Sequence, residues 1–210
     1  MAFKCSCFIS YPHNAGKSVD KFVNRLKVEL ADVFAQYVTD PIMADHDFQT
    51  GADFNKAIAQ TICESACLLV VYMPVYQRKV FCLQEYTAME RLQIERYKAL
   101  QKDLSAQFGM ILPLVYTGEE SKIPKWISQH INYKNISKFT IADPEAVFDQ
   151  PDFQAWLVKI ANMVDSLYNA FKTSPTNPCV ACGTYELPGE QHEAVTAKLN
   201  IPKEPTESFR

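Results

Sequence analysis

The chain of 210 residues lacks any apolar run that approaches the roughly 20 residues of a membrane-spanning helix. Its N-terminus, MAFKCSCFISY, lacks the charged-then-apolar layout of a signal peptide and reads as an immediate core strand. It also lacks an excess of positive charge, with a formal net charge of −3 and a pI of about 5.8. We therefore expect a cytoplasmic protein with no nucleic-acid partner and no membrane partner.

The seven cysteines lack the spacing of a disulfide framework, and their number is odd. This pattern favours reduced thiols, as in cytosolic proteins. One CxxC motif, Cys179 to Cys182, is followed by His192, but structural zinc takes four ligands, typically from two such pairs. We expect no metal site, and no redox-active pair either, because no helix visibly starts at Cys179 to lower its pKa.

What the chain does contain suits a globular core, with 48% apolar and 21% charged residues. The predicted strands are residues 3–10, 37–43, 66–72, 110–116 and 139–141, and the predicted helices are residues 18–34, 52–64, 82 to beyond 97, and 152–171. Short links between alternating strands and helices predict an α/β fold with a parallel sheet and helices on both faces. In the flavodoxin-like strand order 2-1-3-4-5, the switch point falls between strands 1 and 3.

A shift in composition near residue 173 divides the chain into two parts. Residues 1–172 are the predicted α/β domain, and residues 173–210 form an extension that holds five of the twelve prolines. We expect a short helix around residues 190–199, and a role for the extension in docking a partner or in self-association.

The most informative segment of the chain is YMPVYQRKVFCLQEYTAME, residues 72–90. It leads from the end of the third predicted strand into a helix that carries Phe81 and, four residues later, Glu85. A carboxylate just after the C-terminal end of a strand lies where open α/β sheets bind small molecules. Glu85 is therefore well placed to stabilise a cation, although the helix dipole alone also stabilises a glutamate in a first turn.

Other candidate substrate contacts lie near the ends of the first two strands. They are Ser10, Tyr11 and His13 after strand 1, Asp45, Phe48 and Gly51 after strand 2, and Phe81 itself. We expect the three segments to line one crevice, because the carboxyl ends of neighbouring parallel strands meet at one edge. Simpler interpretations also exist, such as a solvated loop at His13 and a backbone turn of positive φ at Gly51.

Three segments in order, FISYPHNAG, DHDFQTGADFNKAI and SACLLVVYMPVYQRKVFCLQEY, resemble the successive boxes of a TIR (Toll/interleukin-1 receptor) domain. The usual forms are FISY, an aspartate-rich loop ending in G-x-x-F, and a strand followed by SPxY and WCxxE. The resemblance covers residues 3–170. Met73 stands where serine is usual, Phe81 where tryptophan is typical, and Pro12 and His13 where catalytic relatives often carry basic residues.

The resemblance implies an activity. Stand-alone bacterial members of the family, including those of Thoeris-like antiphage defence, resemble NAD glycohydrolases or cyclases, and their indispensable glutamate is matched here by Glu85. It implies that Glu85 stabilises a ribosyl cation while nicotinamide leaves as a neutral molecule, so no general acid is needed. The product would be ADP-ribose or a cyclic ADP-ribose isomer. NAD+ is then a substrate, and no cofactor is expected.

The resemblance also implies partners and alternatives. Enzymatic relatives complete their site with a neighbouring TIR domain, so a homo-oligomer built through TIR–TIR contacts is expected, with residues 44–51 reaching the next protomer. A separate effector or sensor protein is a further partner. Two other functions stay open: a non-enzymatic TIR scaffold, and an enzyme that resembles nucleoside deoxyribosyltransferases, which share the fold type and a single glutamate.

Overall fold

The computed structural model describes residues 3–48, 54–100, 109–140, 143–174, 179 and 181–199. The strands are β1 (Cys5–Ser10), β2 (Ile42–Ala44), β3 (Ser65–Tyr72), β4 (Ile111–Val115) and β5 (Lys134–Asn135). All neighbouring pairs are parallel, and the order across the sheet is β2-β1-β3-β4-β5. The predicted flavodoxin-like order is therefore confirmed.

The helices flank this sheet. They are α1 (Lys17–Phe34), α2 (Phe54–Glu64), α3 (Val80–Leu100), α4 (Lys125–Ser128), α5 (Ser137–Thr140), α6 (Pro151–Lys172) and α7 (Glu193–Thr196). Helix α1 packs against α6, and α2 packs against α3, so that each pair covers one face of the sheet. Every residue of β3 is buried, as the continuous apolar run of a strand covered on both faces predicts.

The register of the central strands places the carboxyl ends of β1 and β3 at the same edge of the sheet. Ser10, the last residue of β1, lies opposite Val70 near the end of β3. After β3 the chain forms a short 3₁₀ helix (Pro74–Arg78) and then enters α3. The first turns of α3 therefore start beside the carboxyl end of β1, which is the switch point of this strand order.

Two local predictions were wrong. The fifth strand is Lys134–Asn135, which pairs with the end of β4, whereas Phe139 lies in the one-turn helix α5. The side chain of Asn135 accepts a hydrogen bond from the N–H of Ser137 (2.9 Å), which turns the chain into that helix. The second predicted strand, residues 37–43, is observed only at Ile42–Ala44, because residues 35–37 form a turn after α1.

The cysteines also depart from the expectation of reduced thiols. Cys63, in the last turn of α2, forms a disulfide with Cys182 of the extension, and 119 residues separate the two in sequence. The expectation was wrong for this pair because distance along the chain hides a contact that the fold creates. The cytoplasmic location stays a prediction.

The described part of the extension packs on α2 and α3 of its own chain. The side-chain amide of Gln84 donates to the carbonyl of Pro188 (2.8 Å), and the hydroxyl of Tyr185 donates to the carbonyl of Ala88 (3.1 Å). Helix α7 lies within the range predicted for a short helix, and Val195 at its centre is fully buried. Among the described residues, no helix has the length and apolar character needed to cross a membrane.

Candidate functional site

The centre of the candidate site is a direct contact between Ser10 and Glu85. The Ser10 hydroxyl at the end of β1 donates to Oε2 of Glu85 (2.5 Å), in the second turn of α3. Both side chains are 0% exposed. The sequence placed these two residues at one edge of the sheet, and the structure brings them into hydrogen-bonding contact.

Tyr76 extends this contact into a chain of hydrogen bonds. Its phenol lies 2.8 Å from the Ser10 hydroxyl and 3.0 Å from the carbonyl of Cys82, and its single proton can be donated to one of these oxygens at a time. Burial raises the pKa of Tyr76, and the negative charge of Glu85 contributes in the same direction. The phenol therefore stays protonated at neutral pH and serves as a donor beside the carboxylate.

Tyr11 and His13 form a second group with a residue that was not predicted, His46. The rings of Tyr11 and His13 stack with centroids 5.3 Å apart, and the Tyr11 hydroxyl lies 3.1 Å from Nδ1 of His46. Tyr11 is buried, whereas His13 and His46 are exposed. This group joins the end of β1 to the turn after β2. Its first member, Tyr11, directly follows Ser10 in the sequence.

In the loop after β2, the aspartate with described contacts is Asp47, whereas Asp45 is the predicted substrate contact. Asp47 accepts from the N–H of Ala44 (2.7 Å) and pairs with Lys27 (2.6 Å). Phe48 is half-buried and contacts the ring of Phe8 on β1, with centroids 6.5 Å apart. Asp45 is the first residue of the short 3₁₀ turn, and Gly51 lies outside the described residues, so their predicted contacts stay predictions.

Phe81 lies at a third place, a cleft between α2, α3 and the extension. Its ring stacks on that of Phe54 with centroids 5.9 Å apart. The cleft has a volume of about 510 Å³, within the roughly 300–1,000 Å³ of small-molecule sites. Besides Phe81 it is lined by Asn55, Lys56, Ala59 and Gln84 of the helices and by residues 183–187 of the extension.

Chemically, the arrangement offers one carboxylate with an oriented hydroxyl donor, and a separate cleft lined by Phe81 and Lys56. Among the described residues, no group of three or more His, Cys, Asp or Glu side chains is arranged to hold a metal. The carboxylate is wholly covered, so a substrate reaches it only if a neighbouring side chain moves. The Ser10 hydroxyl donates to it directly, and the Tyr76 phenol contacts that hydroxyl.

Sequence reasoning missed three contributors to these groups. Tyr76 is the tyrosine of the segment MPVY, so the pattern that pointed to Glu85 already contained it. His46 follows Asp45, but only Asp45 was a predicted substrate contact. Tyr185, which lines the cleft, had no sequence signal, because its place depends on how the extension packs.

Comparison with known proteins agrees with the geometry. The family model described as TIR domain matches residues 7–150, which is more than half of the chain. No protein of curated function matches the chain in sequence. The matched region contains the parallel sheet apart from the first two residues of β1, together with the Ser10–Glu85 contact and Tyr76, and on this ground the chain belongs to the TIR domain family.

Proposed function

We propose that the protein cleaves the bond between nicotinamide and ribose in NAD+, with Glu85 as the residue that stabilises the ribosyl cation. The observation that carries this proposal is the Ser10–Glu85 contact at the switch point of a TIR-family sheet. A buried carboxylate interacts more strongly with a developing positive charge than an exposed one does.

The reaction that we propose requires little proton transfer. Nicotinamide in NAD+ is already cationic and departs as a neutral molecule, so a single carboxylate is sufficient. Glycosidases need two, because their leaving group must be protonated. Water then yields ADP-ribose, or a nitrogen of the adenine yields a cyclic isomer. In this scheme Tyr76 and Ser10 keep Glu85 oriented until the substrate arrives.

Complete burial of Glu85 supports a closed resting state. Activity then requires a rearrangement that exposes the carboxylate, and we propose that association of TIR domains supplies it. Such an enzyme would be inactive as a monomer and active as an oligomer. This behaviour suits a cytoplasmic immune protein, because uncontrolled loss of NAD+ harms the cell that makes it.

We further propose that the cleft beside Phe81 receives an aromatic ring of the substrate. Phe81 precedes Glu85 by one helical turn, so a ring bound beside Phe81 lies one turn of α3 from the carboxylate. Lys56 at the rim is a cation for the pyrophosphate, and Tyr185 and Leu187 of the extension form the opposite wall. The extension thereby contributes to binding, a role that its proline content did not predict.

The same burial of Glu85 favours one alternative, a non-enzymatic scaffold. In that case the carboxylate, the Ser10 hydroxyl and the Tyr76 phenol form a structural polar network that shapes a surface for TIR–TIR contacts. Membership of the TIR family gives no support to the deoxyribosyltransferase-like alternative.

The deciding experiment is incubation of the purified full chain with NAD+, at high protein concentration and with a crowding agent, followed by chromatography of the products. We expect release of nicotinamide by the parent protein and almost none by Glu85→Gln, which keeps the size of the side chain and removes its charge. The matched control is Glu95→Gln, an exposed carboxylate on the same helix, which should leave the rate unchanged.

Two outcomes would reject the proposal. Equal rates in the parent and in Glu85→Gln would remove this residue from the mechanism. A parent protein that assembles, as measured by light scattering, and yet releases no nicotinamide would instead identify the chain as a scaffold.

A further inference from the structure

We propose that Cys63, Cys179 and Cys182 form a thiol–disulfide exchange site that fixes the extension to α2 in one state and releases it in the other. In the first state Cys182 is bonded to Cys63, as in the structure. In the second state Cys182 is bonded to Cys179, so both ends of the bridge lie within the extension. The inference does not depend on the proposed reaction with NAD+.

The three cysteines lie together where α2 ends and β3 begins. The Cα atoms of Cys63 and Cys182 are 5.3 Å apart. The thiol of Cys179 donates to the main-chain carbonyl of Cys63, with 3.7 Å between sulfur and oxygen. A third sulfur therefore contacts a residue that already belongs to the bridge.

Cys179 and Cys182 can bond to each other near their observed positions. The N–H of Cys182 donates to the carbonyl of Cys179 (3.3 Å), which closes a turn of three-residue spacing. The end Cα atoms of such turns lie less than about 7 Å apart, and disulfides span about 4.4–6.8 Å. Both pairings of Cys182 are therefore compatible with the backbone.

The exchange needs no oxidant or reductant. The thiolate of Cys179 attacks Sγ of Cys182, a bond forms between these two sulfurs, and the bond between Cys63 and Cys182 breaks. The electron pair of the broken bond passes to Sγ of Cys63, which takes up the proton that Cys179 gave to solvent. One disulfide and one thiol exist before and after, and only their positions change.

The surroundings of Cys179 make the exchange slow. Burial raises the pKa of its thiol, and Glu64 acts in the same direction, while the positive charges of Arg96 and Lys4 oppose the change. The thiol form therefore predominates at neutral pH, and the attacking thiolate is a minority species. Slow exchange means that the two states can be trapped separately and counted.

Without the bond to α2, the described part of the extension is held to α2 and α3 by noncovalent contacts, among them the burial of Val195. They include the hydrogen bonds from Gln84 to Pro188 and from Tyr185 to Ala88, and an ion pair between Lys198 and Glu90 (2.7 Å). Single hydrogen bonds and partly exposed ion pairs each contribute little net stability. The exchange therefore weakens the attachment of a segment that lies along α3 and lines the cleft.

A disulfide map of the full chain tests the site. The purified protein is alkylated before and after incubation at mildly alkaline pH with a trace of a small thiol, then digested, and the bridged peptides are identified by mass spectrometry. We expect Cys63–Cys182 alone before incubation and a mixture with Cys179–Cys182 afterwards. If no Cys179–Cys182 peptide forms during incubation, the proposal is overturned.

Variants test the consequence for the extension. Cys63→Ser restricts the chain to the second state and Cys179→Ser to the first, while Cys5→Ser removes a thiol outside the cluster and serves as the control. We expect amide hydrogen exchange in residues 181–199 to be at least tenfold faster in Cys63→Ser than in Cys179→Ser. Equal rates would show that the bridge does not hold the extension.

A folding failure of Cys63→Ser would not leave the question open. The parent protein, incubated as above, is then compared with Cys179→Ser, because only the parent can exchange. A gain of hydrogen exchange on incubation in the parent alone supports the proposal, and identical behaviour of the two proteins rejects it.

Discussion

Glu85 and Arg96 are the most deeply buried charged side chains among the described residues, Glu85 near the carboxyl ends of the central strands and Arg96 near their amino ends. Glu85 is 0% exposed and Arg96 is 3% exposed. The described partner of Glu85 is movable, since the Ser10 hydroxyl, itself in contact with Tyr76, rotates with its side chain. The described partners of Arg96 are fixed, because its guanidinium donates to the main-chain carbonyls of Ser65 (2.9 Å) and Cys63 (2.5 Å).

This difference suggests a functional role for Glu85 and a structural role for Arg96. Main-chain carbonyls cannot turn away without unfolding the strand or helix that carries them, so Arg96 joins the end of α2 to the start of β3 permanently. Burial lowers the pKa of Arg96 to about 10, which still leaves the guanidinium charged at neutral pH. Side-chain hydroxyls can release a carboxylate to a ligand, which is what a catalytic or binding group requires.

The largest expected effect is on activity, at the carboxyl end. We expect Glu85→Gln to lower the rate of nicotinamide release by about 100-fold to 1,000-fold, the usual loss when an oriented electrostatic group is removed. Its stability should be unchanged or slightly higher, because the variant no longer buries a charge. Chromatography and urea unfolding measure the two effects, and a large loss of stability would place Glu85 with Arg96 as a support.

Arg96→Met should show the opposite pattern. Methionine keeps much of the apolar stem but leaves the carbonyls of Ser65 and Cys63 without their donor, at a cost of about 1–3 kcal/mol each. We expect a fall of about 2–5 kcal/mol in the free energy of unfolding by urea. The rate per folded molecule should stay at the parent value. If Arg96→Met lowered the rate of nicotinamide release without lowering stability, Arg96 would have a functional role like that proposed for Glu85.

Ser10→Ala tests whether the partners of Glu85 matter for orientation. It removes the donor to Oε2, and we expect a loss of about 1–2 kcal/mol in stability. We also expect about a tenfold lower rate constant at saturating NAD+, because the carboxylate is no longer held in one position. Ser18→Ala, which removes a hydroxyl that contacts Tyr116, is the matched control and should leave the rate constant unchanged.

The smallest effect is expected at the extension, whose described hydrogen bonds involve neither Glu85 nor Arg96. Tyr185→Phe removes the hydrogen bond to Ala88 but keeps the ring that lines the cleft. We expect about 0.5–1.5 kcal/mol less stability in thermal or urea unfolding, and an unchanged affinity for NAD+ by calorimetry. Tyr185→Ala should weaken that affinity, and if both variants bind like the parent the cleft is not used.

The sequence predicted the parts of the fold that follow from local pattern. Strand β3 and helix α1 were both predicted to within one residue of their observed bounds. The strand β5 was missed because Lys134 and Asn135 form a two-residue edge strand with no apolar alternation. Its existence depends on pairing with β4, which no local pattern records.

The candidate site was predictable to a similar limit. Strand order placed Ser10 and Glu85 at one edge, because the carboxyl ends of parallel strands meet there. The hydrogen bond between them, and the part of Tyr76 in it, depend on side-chain packing that the sequence does not specify. The bond between Cys63 and Cys182 shows the same limit over a longer span, since 119 residues separate its ends.

Gln84 and Glu85 are consecutive residues of α3 whose side chains contact different layers of the molecule. Gln84 donates to Pro188 on the outside, and Glu85 accepts from Ser10 inside. Successive residues of an α-helix differ by about 100° around its axis, so a small rotation of the first turns of α3 changes both contacts together. A fluorescent probe attached near Pro188 would therefore report, from the surface, when a ligand displaces the buried carboxylate.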